Sequence, residues 1–317
     1  MTSYLSRRVA QAIVVVIGVT ILTFILVHLV PGSAARAAMG LRATPQRIAA
    51  FNAAYGLNQP LYRQFFSYVD QVAHGNLGTS FETQQPVTTM IADRLPGDIL
   101  LLGSATVIAV AIAIPMGIYQ ALKRGRVSDY LLDGTSFTLY TMPDFFIAFL
   151  LIALFCVQFH LLPPGMPPQA AGITGILADP AGLVLPIATL TLSNLAGYSR
   201  YMRSSAIDTL AQDFLRVVRA KGLPERLVLS RHVVRNSVLP VVTMVGLNFP
   251  NIIAGAVIAE SVFNYYGMGL LFLSSATSHD YPVLLGSTLI IGAATVVGNL
   301  AADIAYGVLD PRIRTSG

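Results

Sequence analysis

Residues that could carry catalytic or metal chemistry are few in this chain and stand far apart. The histidines form no His-Glu-x-x-His motif and no pair four residues apart, so no helix offers two histidines to a zinc ion. Cys156 is the single cysteine, which excludes a disulfide framework and a zinc site built on cysteines. The lack of a Gly-x-Ser-x-Gly elbow disfavours a hydrolase. The five histidines are His28, His74, His160, His232 and His279.

Nucleotide binding by a P-loop is also excluded. That motif ends in Gly-Lys-Ser or Gly-Lys-Thr, because the lysine reaches the phosphates and the hydroxyl holds magnesium. The chain has two lysines, Lys123 after Leu122 and Lys221 after Ala220. This chain therefore cannot bind ATP through that motif.

Composition indicates that much of the apolar surface lies in a bilayer. Of the 317 residues 54% are hydrophobic and 11% are charged, whereas a soluble domain has about 25% charged residues. A membrane-spanning helix needs about 20 mostly apolar residues, and six such windows are present. They cover 9–30, 99–122, 133–158, 183–202, 238–261 and 283–307. We expect an all-α membrane protein with six transmembrane helices.

The first window shares features with a signal peptide. Arg7 and Arg8 precede it, and Ala35-x-Ala37 follows it. The apolar region of a signal peptide is only about 7–15 residues long, however, and this window is longer. We therefore expect the window to be retained as the first span.

Polar residues inside the predicted spans are the default candidates for function. Asp144 follows Pro143 in the third window, and Asn248 and Glu260 lie in the fifth. For Glu260 an interfacial position and a role at an outer gate stay equally open. Asp144 would either pair with an arginine of a partner or line a water-filled vestibule. Asp303 lies near the inner end of the sixth window, where an interfacial carboxylate is the favoured interpretation.

Positive charge sets the predicted orientation. Fifteen of the twenty Lys and Arg residues lie before span one, between spans two and three, between spans four and five, or after span six. Such residues stay cytoplasmic because translocating them is costly, so both termini are expected in the cytoplasm. The basic charge balance therefore reflects membrane topology, and no nucleic-acid partner is expected.

The outer segment 31–98 is too long for a bare loop and is predicted to form a small helical cap. Thr44 is a typical N-cap residue, Pro45 suits the first helical position and Gly56 suits the end of that helix. A second helix of the cap is predicted to carry an apolar stripe along one face, which consists of Leu61, Phe65, Tyr68, Val69 and Val72. This stripe would pack on the membrane-embedded bundle or receive a partner on the outer face.

The predicted cytoplasmic loop 203–237 has the pattern of a helix–corner–helix. One helix is expected from Asp208 to Lys221, ending at Gly222. A second would begin with Pro224, whose missing N–H costs nothing there, followed by Glu225 at the positive end of the helix dipole. From composition alone the basic face could bind anionic lipid head groups or dock into a soluble subunit.

The loop resembles the EAA loop of permease subunits of ABC importers, and in particular the B-type subunit of dipeptide/oligopeptide permeases. The segment that carries this likeness is RAKGLPERLVLSRHVVRNSVLP, at 219–240. Further strings follow in the order seen in that family: HLVPGSAA, YGLNQPLYRQFFSYV, HGNLGTSF, PVTTMIADRLPGDILLL, YTMPDFFIAFLLIALFCVQFHLLPP, ESVFNYYGMGLLFLSSATSHDYPVLLG and GVLDPRIR. The resemblance therefore covers nearly the whole chain.

Two departures from the family pattern lie in this loop. Arg216-Val217-Val218 stands where the pattern has Glu-Ala-Ala, and Leu239-Pro240 comes later than the usual Leu-Pro. The B-type branch is known to deviate in this way. Where other members place the glutamate of this pattern, this chain places Arg216, so the corresponding contact would carry the opposite charge here.

The resemblance implies a transport subunit that is not itself an enzyme and holds no cofactor, with ATP and Mg on partner ATPases. The expected partners are a second homologous permease, two P-loop ATPase subunits or domains, an extracytoplasmic substrate-binding protein and the lipid bilayer of a bacterial or archaeal cytoplasmic membrane. The candidate translocation path comprises Asp144, Asn248 and Glu260, the last a possible partner for the amino terminus of a peptide. The ATPase-coupling residues would be Arg216, Arg219, Ala220, Lys221, Gly222, Leu223, Pro224, Glu225 and Arg226.

The expected organisation has four parts. They are the N-terminus and first span (1–30), the helical cap (31–98), a five-helix core that includes the coupling loop (99–307) and a cytoplasmic tail (308–317). Importers of nickel complexes or glutathione are alternatives within the same class. A stand-alone secondary transporter or channel is a rival from another class, in which the basic loop anchors to lipid.

Overall fold

The computed structural model describes residues 2–29, 32–40, 43–166 and 172–309. Within these ranges the chain forms helices, and the described β-structure is one isolated bridge between Thr79 and Pro86. The α-helices are α1 (Thr2–Leu29), α2 (Ala34–Met39), α3 (Pro45–Ala54), α4 (Leu61–Ala73), α5 (Val87–Leu122), α6 (Val127–Thr141), α7 (Asp144–Leu151), α8 (Gly172–Ala178), α9 (Pro180–Leu210), α10 (Asp213–Ala220), α11 (Glu225–Leu227), α12 (Val234–Ser237), α13 (Leu239–Ala254), α14 (Val257–Val262), α15 (Met268–Thr277) and α16 (Tyr281–Leu309). Two π-helical segments, Ile152–Gln158 and Val228–Val233, continue α7 and α11.

Some predicted features fall outside this description. They are Pro31 and Arg42, the tail from residue 310 onward, and the side chains of Arg7, Arg8 and Asp303.

The apolar helices agree with the predicted class of all-α membrane protein. Among the described residues, α5, α9 and the part of α16 up to Leu300 are each long and apolar enough to cross a membrane. Two bent helix pairs bring that number to five if each pair is one span, and Ile13–Leu29 of α1 is a shorter apolar stretch. The count of six spans stays a prediction.

The predicted third span is not one continuous helix. The segments Val127–Thr141 and Asp144–Gln158 meet at an angle of 107°. The break lies at Met142, whose extended backbone (ψ 131°) reflects the steric restriction that Pro143 places on the residue before it. Residues 133–158 therefore turn sharply inside the apolar region, with Asp144 at the start of the second helix.

The fifth predicted span is interrupted as well. Helix α13 ends at Gly255, where φ is +80°, and the short helix α14 begins two residues later. A Cβ at Gly255 would overlap Glu260 and the backbone of Gly269, so glycine is required by both its conformation and its surroundings. The chain after α14 folds back to α15 through residues 263–267.

Helix α9 packs along α5 in the most extensive interhelical contact of the described chain. The face of α5 in this contact carries small residues four apart, namely Ala105, Ala109, Ala113 and Gly117, all buried. Small residues let helix backbones approach closely in a membrane, where dispersion contacts replace the hydrophobic effect as the driving force. A Cβ at Gly117 would lie 2.7 Å from Met202 Cβ and 2.8 Å from the Arg203 nitrogen.

The cap confirms the predicted first helix, α3. Thr44 caps it by accepting the N–H of Arg47, and Gly56 follows with φ +67°. The second helix, α4, directs part of its apolar stripe to the bundle: Phe65 lies 5.2 Å from Phe24 of α1, ring to ring, and Val72 packs beside the start of α5. Leu61 and Val69 of the same stripe are exposed.

The carboxylate of Asp280 fastens the end of the cap to the bundle. It accepts the Ser80 hydroxyl at 2.5 Å and the Phe81 N–H at 3.1 Å, and the side chain is buried. This contact joins the cap to the residue that precedes α16.

Replacing Gly117 with Ala is expected to destabilise the protein. Alanine is normally favoured over glycine in a helix by about 1 kcal/mol, but here its methyl group would force α9 away from α5, at a cost of about 1–3 kcal/mol. The matched control is Gly103→Ala on α5, where a Cβ meets nothing within 4 Å. Melting temperatures in mild detergent should fall for Gly117→Ala and not for Gly103→Ala. Equal shifts would contradict this account of the contact.

Candidate functional site

A helix–corner–helix projects beyond the end of α9. Helix α10 is amphipathic: Leu215 is buried against Val228 and Val233 of the returning segment, while Arg216 and Arg219 are exposed. Phe214, Val218, Leu223 and Leu229 pack around this centre. The unit thus has a small apolar core of its own, which holds it in one shape.

The predicted first helix of this unit begins in the wrong place. Asp208 belongs to α9, which ends at Leu210, and α10 starts only at Asp213. The break falls at Gln212, whose backbone is extended (ψ 140°). Because α10 leaves α9 at this break, the corner is a separate element and not a continuation of the span.

The corner itself lies where the sequence predicts it. Gly222 has φ +77°, a left-handed conformation that other residues rarely adopt, and no neighbouring atom lies within 4 Å of its Cβ position. Pro224 is extended (ψ 140°) and precedes α11, while Leu223 is half-buried. The other predicted coupling residues are exposed: Arg216, Arg219, Ala220, Lys221, Gly222, Pro224, Glu225 and Arg226.

An ion pair closes the corner. Arg219 donates from Nη2 to Glu225 Oε1 at 2.8 Å and from Nε to Oε2 at 3.2 Å. This hydrogen-bonded pair lowers the pKa of Glu225 and raises the pKa of Arg219. Its stabilisation is therefore present at neutral pH and is lost as the pH falls through the lowered pKa of Glu225. Both side chains are partly exposed, so the pair contributes at most about 1 kcal/mol.

The basic face is partly neutralised within the unit. Arg216 lies 3.5 Å from Asp213, three residues earlier, and Arg219 is paired with Glu225. Among the described residues, Lys221, Arg226 and Arg231 have no such ion pair and are exposed. Within residues 213–233 these three cations are the free positive charge that the corner offers to a partner.

An ion pair with a buried carboxylate joins α9 to α6, near the end of α9 that leads to the corner. Arg203 of α9 donates to both carboxylate oxygens of Asp129 in α6, each at 2.9 Å. Gly125 N–H donates to the same carboxylate at 3.0 Å, and Asp129 is 1% exposed. Sequence reasoning missed this pair, because Arg203 was counted only as loop charge and Asp129 precedes the predicted third window.

Two of the three translocation-path candidates form hydrogen bonds to the same helix, α9. Asp144 accepts the hydroxyl of Ser193 at 2.7 Å. Asn248 donates to the hydroxyl of Tyr198 at 3.2 Å. Ser193 and Tyr198 both belong to α9, and both candidates are half-buried. Helix α9 is therefore joined to α7 by the hydrogen bond of Asp144 and to α13 by the hydrogen bond of Asn248.

Glu260, the third candidate, is set apart from the other two. Its side chain is fully buried, and its oxygens accept the backbone N–H groups of Ala256 at 2.6 Å and Leu270 at 2.7 Å. It therefore binds the backbone at two places, the break between α13 and α14 and the start of α15. An interfacial position or a role at an outer gate stays a prediction.

A cavity of about 300 Å³ lies between the cap, the C-terminal end of α1 and the N-terminal end of α16. His28, Gln64 and Tyr68 are among the residues that line it, and Asp144, Asn248 and Glu260 are not. The Tyr68 hydroxyl is buried there without a hydrogen-bond partner, and burial raises the pKa of Tyr68 to about 12. Among the described residues no three acidic, His or Cys side chains are placed to hold a metal ion.

The structure is that of a helical membrane protein with a projecting corner, and comparison with known proteins identifies its family. Residues 113–315 match the family described as "Binding-protein-dependent transport system inner membrane component". Residues 1–102 match the N-terminal region described for membrane components of the same systems. The chain belongs to this family of inner-membrane permease components, and the resemblance to permease subunits of ABC importers is confirmed.

Curated relatives match over the full length of the chain. The oligopeptide transport system permease protein AppB of Bacillus subtilis is 37% identical over 314 residues, covering 99% of both chains. The oligopeptide transport system permease protein OppB of Haemophilus influenzae is 35% identical, covering 99% of this chain and all of the relative. The dipeptide transport system permease protein DppB of Escherichia coli is 34% identical, covering 99% of both.

Replacing Asp129 with Asn is expected to destabilise the junction between α6 and α9. The change leaves Arg203 without its anion and costs about 3 kcal/mol or somewhat less, since Arg203 is 26% exposed. The melting temperature of the purified chain should fall by several degrees. The exposed pair provides the control: Asp213→Asn removes the partner of Arg216 and should change stability by less than about 0.5 kcal/mol. A neutral Asp129→Asn variant would contradict the assigned role.

Proposed function

We propose that this chain forms half of the translocation pore of an ATP-driven importer of di- or oligopeptides. Relatives that match over 99% or more of their length are named as oligopeptide and dipeptide permeases. The matched family is described as dependent on a binding protein, which supports delivery of the solute by an external binding protein.

One observation carries the coupling part of this proposal. The corner at 213–233 keeps its shape through its own core and ion pair, and it offers the exposed cations Lys221, Arg226 and Arg231. A lipid anchor would need only the positive charge. A preformed protruding element fits docking into a soluble subunit, because little conformational entropy is lost on binding.

The mechanism requires energy from outside the chain, since the sequence holds no P-loop. ATP and Mg would bind on two partner ATPase subunits or domains, whose closure moves α10 and α11. The Leu215–Val228–Val233 core and the Asp129–Arg203 pair would pass that movement to α9. Because Ser193 and Tyr198 of α9 form hydrogen bonds with Asp144 and Asn248, a displacement of α9 would change the positions of both side chains.

The remaining parts of the proposal concern topology and assembly. Both termini and the corner would lie in the cytoplasm, as the Lys and Arg distribution favours, and the cap would lie on the outer face, where the binding protein docks. A second homologous permease would complete the pore. The membrane would be the cytoplasmic membrane of a bacterium or archaeon.

Purification from native membranes in mild detergent tests the assembly. We expect a second multi-span permease and P-loop ATPase chains in near-equal amounts by mass spectrometry, with uptake of labelled peptides lost when the gene is deleted. A chain that purifies alone, with no ATPase and unchanged peptide uptake on deletion, would refute the proposal.

Replacing Gly222 with Val tests the coupling role of the corner. A β-branched residue at φ +77° costs about 1–2 kcal/mol or more, which lowers the equilibrium constant for the docked shape roughly 5- to 30-fold. We expect transport to fall by up to the same factor, with ATP hydrolysis no longer stimulated by solute and membrane insertion unchanged. Gly222→Asn should retain most of the activity, because Asn tolerates this conformation.

Gly75→Val is the matched control for backbone strain. Gly75 has the same φ of +77° and equally open surroundings, but it lies in the cap. Coupling should stay intact in that variant. Normal transport by Gly222→Val, or equal uncoupling by Gly75→Val, would contradict the assignment of the coupling element.

A further inference from the structure

Two carboxyl groups are buried together where α5 meets the segment between α14 and α15. Asp98 and Glu260 are both 0% exposed. Asp98 Oδ2 accepts the N–H of Met268 at 2.7 Å, while Glu260 accepts N–H groups from Ala256 and Leu270. Three of the four carboxyl oxygens thus bind backbone donors around one short stretch of chain.

The fourth oxygen has no donor. Asp98 Oδ1 is buried and without a hydrogen-bond partner. A Cβ on Gly267 would overlap both Asp98 Oδ1 and Glu260 Oε2. The two oxygens therefore lie beside the same Cα atom, with no side chain between them. A buried acceptor with no donor destabilises the fold, and a charged one does so more strongly.

The charges around this pair do not balance if both carboxyls are ionised. The groups that face it are Arg94 of α5 and the tyrosines of the loop, Tyr265 and Tyr266. Arg94 donates to Met90 O at 2.9 Å and lies 3.8 Å above the Tyr266 ring, and no ion pair joins it to either carboxyl within the described chain. Tyr265 donates its hydroxyl to Gly97 O at 2.6 Å. One buried cation thus faces two acids.

We propose that Asp98 and Glu260 form a proton-binding site, with a single proton on Asp98 Oδ1 donated to Glu260 Oε2. Two adjacent carboxyls in an apolar site share a proton because both cannot ionise. The backbone contacts decide which group carries it. Both Glu260 oxygens already accept N–H groups, and so does Asp98 Oδ2, which leaves Asp98 Oδ1 as the position for the hydrogen.

The shared proton holds two parts of the fold together. Asp98 lies on α5, whereas Glu260 and the backbone of 268–270 belong to the returning segment that leads into α15. With the proton present, the site is neutral in sum with Arg94. Without it, two anions face each other across Gly267, and the segment is pushed away from α5.

The test is a pair of amide substitutions in the full chain, purified with the subunits that accompany it. Asp98→Asn places an N–H donor where the proton is proposed and keeps an oxygen for Met268. We expect its melting temperature within about 2 °C of the parent protein. Glu260→Gln must turn an NH₂ group toward a backbone N–H, and we expect a loss of about 5 °C or more.

Two controls separate this arrangement from a general tolerance of amides. Asp98→Leu keeps the branching of the side chain but replaces both oxygens with larger methyl groups that cannot form hydrogen bonds, and it should lose stability like Glu260→Gln. Asp129→Asn replaces an acid that is ionised beside Arg203, and it should lose stability as well. Equal losses in Asp98→Asn and Glu260→Gln, or tolerance of Glu260→Gln alone, would overturn the proposal.

Two further measurements observe the proton itself. Because the folded protein holds a proton that the unfolded chain releases, stability should fall as the pH rises from mildly acidic to mildly alkaline. That slope should be smaller in Asp98→Asn. The infrared difference between the parent protein and Asp98→Asn at neutral pH should show one protonated carboxylic C=O band. An unchanged slope together with no such band would refute the site.

Discussion

Helix α9 lies close against α5 along a stripe of small residues on α5. Ala105, Ala109, Ala113 and Gly117 form a stripe along which the backbone of α9 can approach. The other features of the site attach to α9: Asp144 and Asn248 through hydrogen bonds, Asp129 through an ion pair, and the corner through the chain itself. The geometry of the candidate site therefore depends on how closely these two helices pack.

Helix breaks are the second constraint on this fold. In a membrane no water reaches the backbone groups that a break sets free, so the protein must satisfy them itself. Glu260 binds the N–H of Ala256 at the break after α13, and in the first turn of α15 Glu260 and Asp98 bind the N–H groups of Leu270 and Met268. The glycines at 255, 267 and 269 leave room for the carboxylates to come this close. The string ESVFNYYGMG, which contributed to the family resemblance, thus has a physical explanation in this structure.

Local signals predicted the local structure well. The Thr44-Pro45 start of α3 and the corner at Gly222 lie where the sequence indicates, because capping and left-handed glycine are decided by neighbouring residues. Pro143 also disfavours a helical conformation of Met142, but the apolar window 133–158 was predicted as one continuous span. The break at Gln212 has no comparable signal, so the first corner helix was predicted to begin too early.

The sequence by itself determined the class of protein, because low charge, long apolar windows and the order of family motifs are properties of the chain alone. It also determined the corner, which a few neighbouring residues specify. Only the tertiary structure decided which polar groups meet. Asp129 and Arg203 are 74 residues apart in the chain, Asp98 and Met268 are 170 apart, and no local pattern pairs them. Glu260 is another example. Its position in the sequence is compatible with an interface or a gate, whereas its burial follows from the packing of the chain around it. Burial and hydrogen bonding depend on which helices come together, and that is settled by side-chain volume at contacts such as Gly117 with Met202.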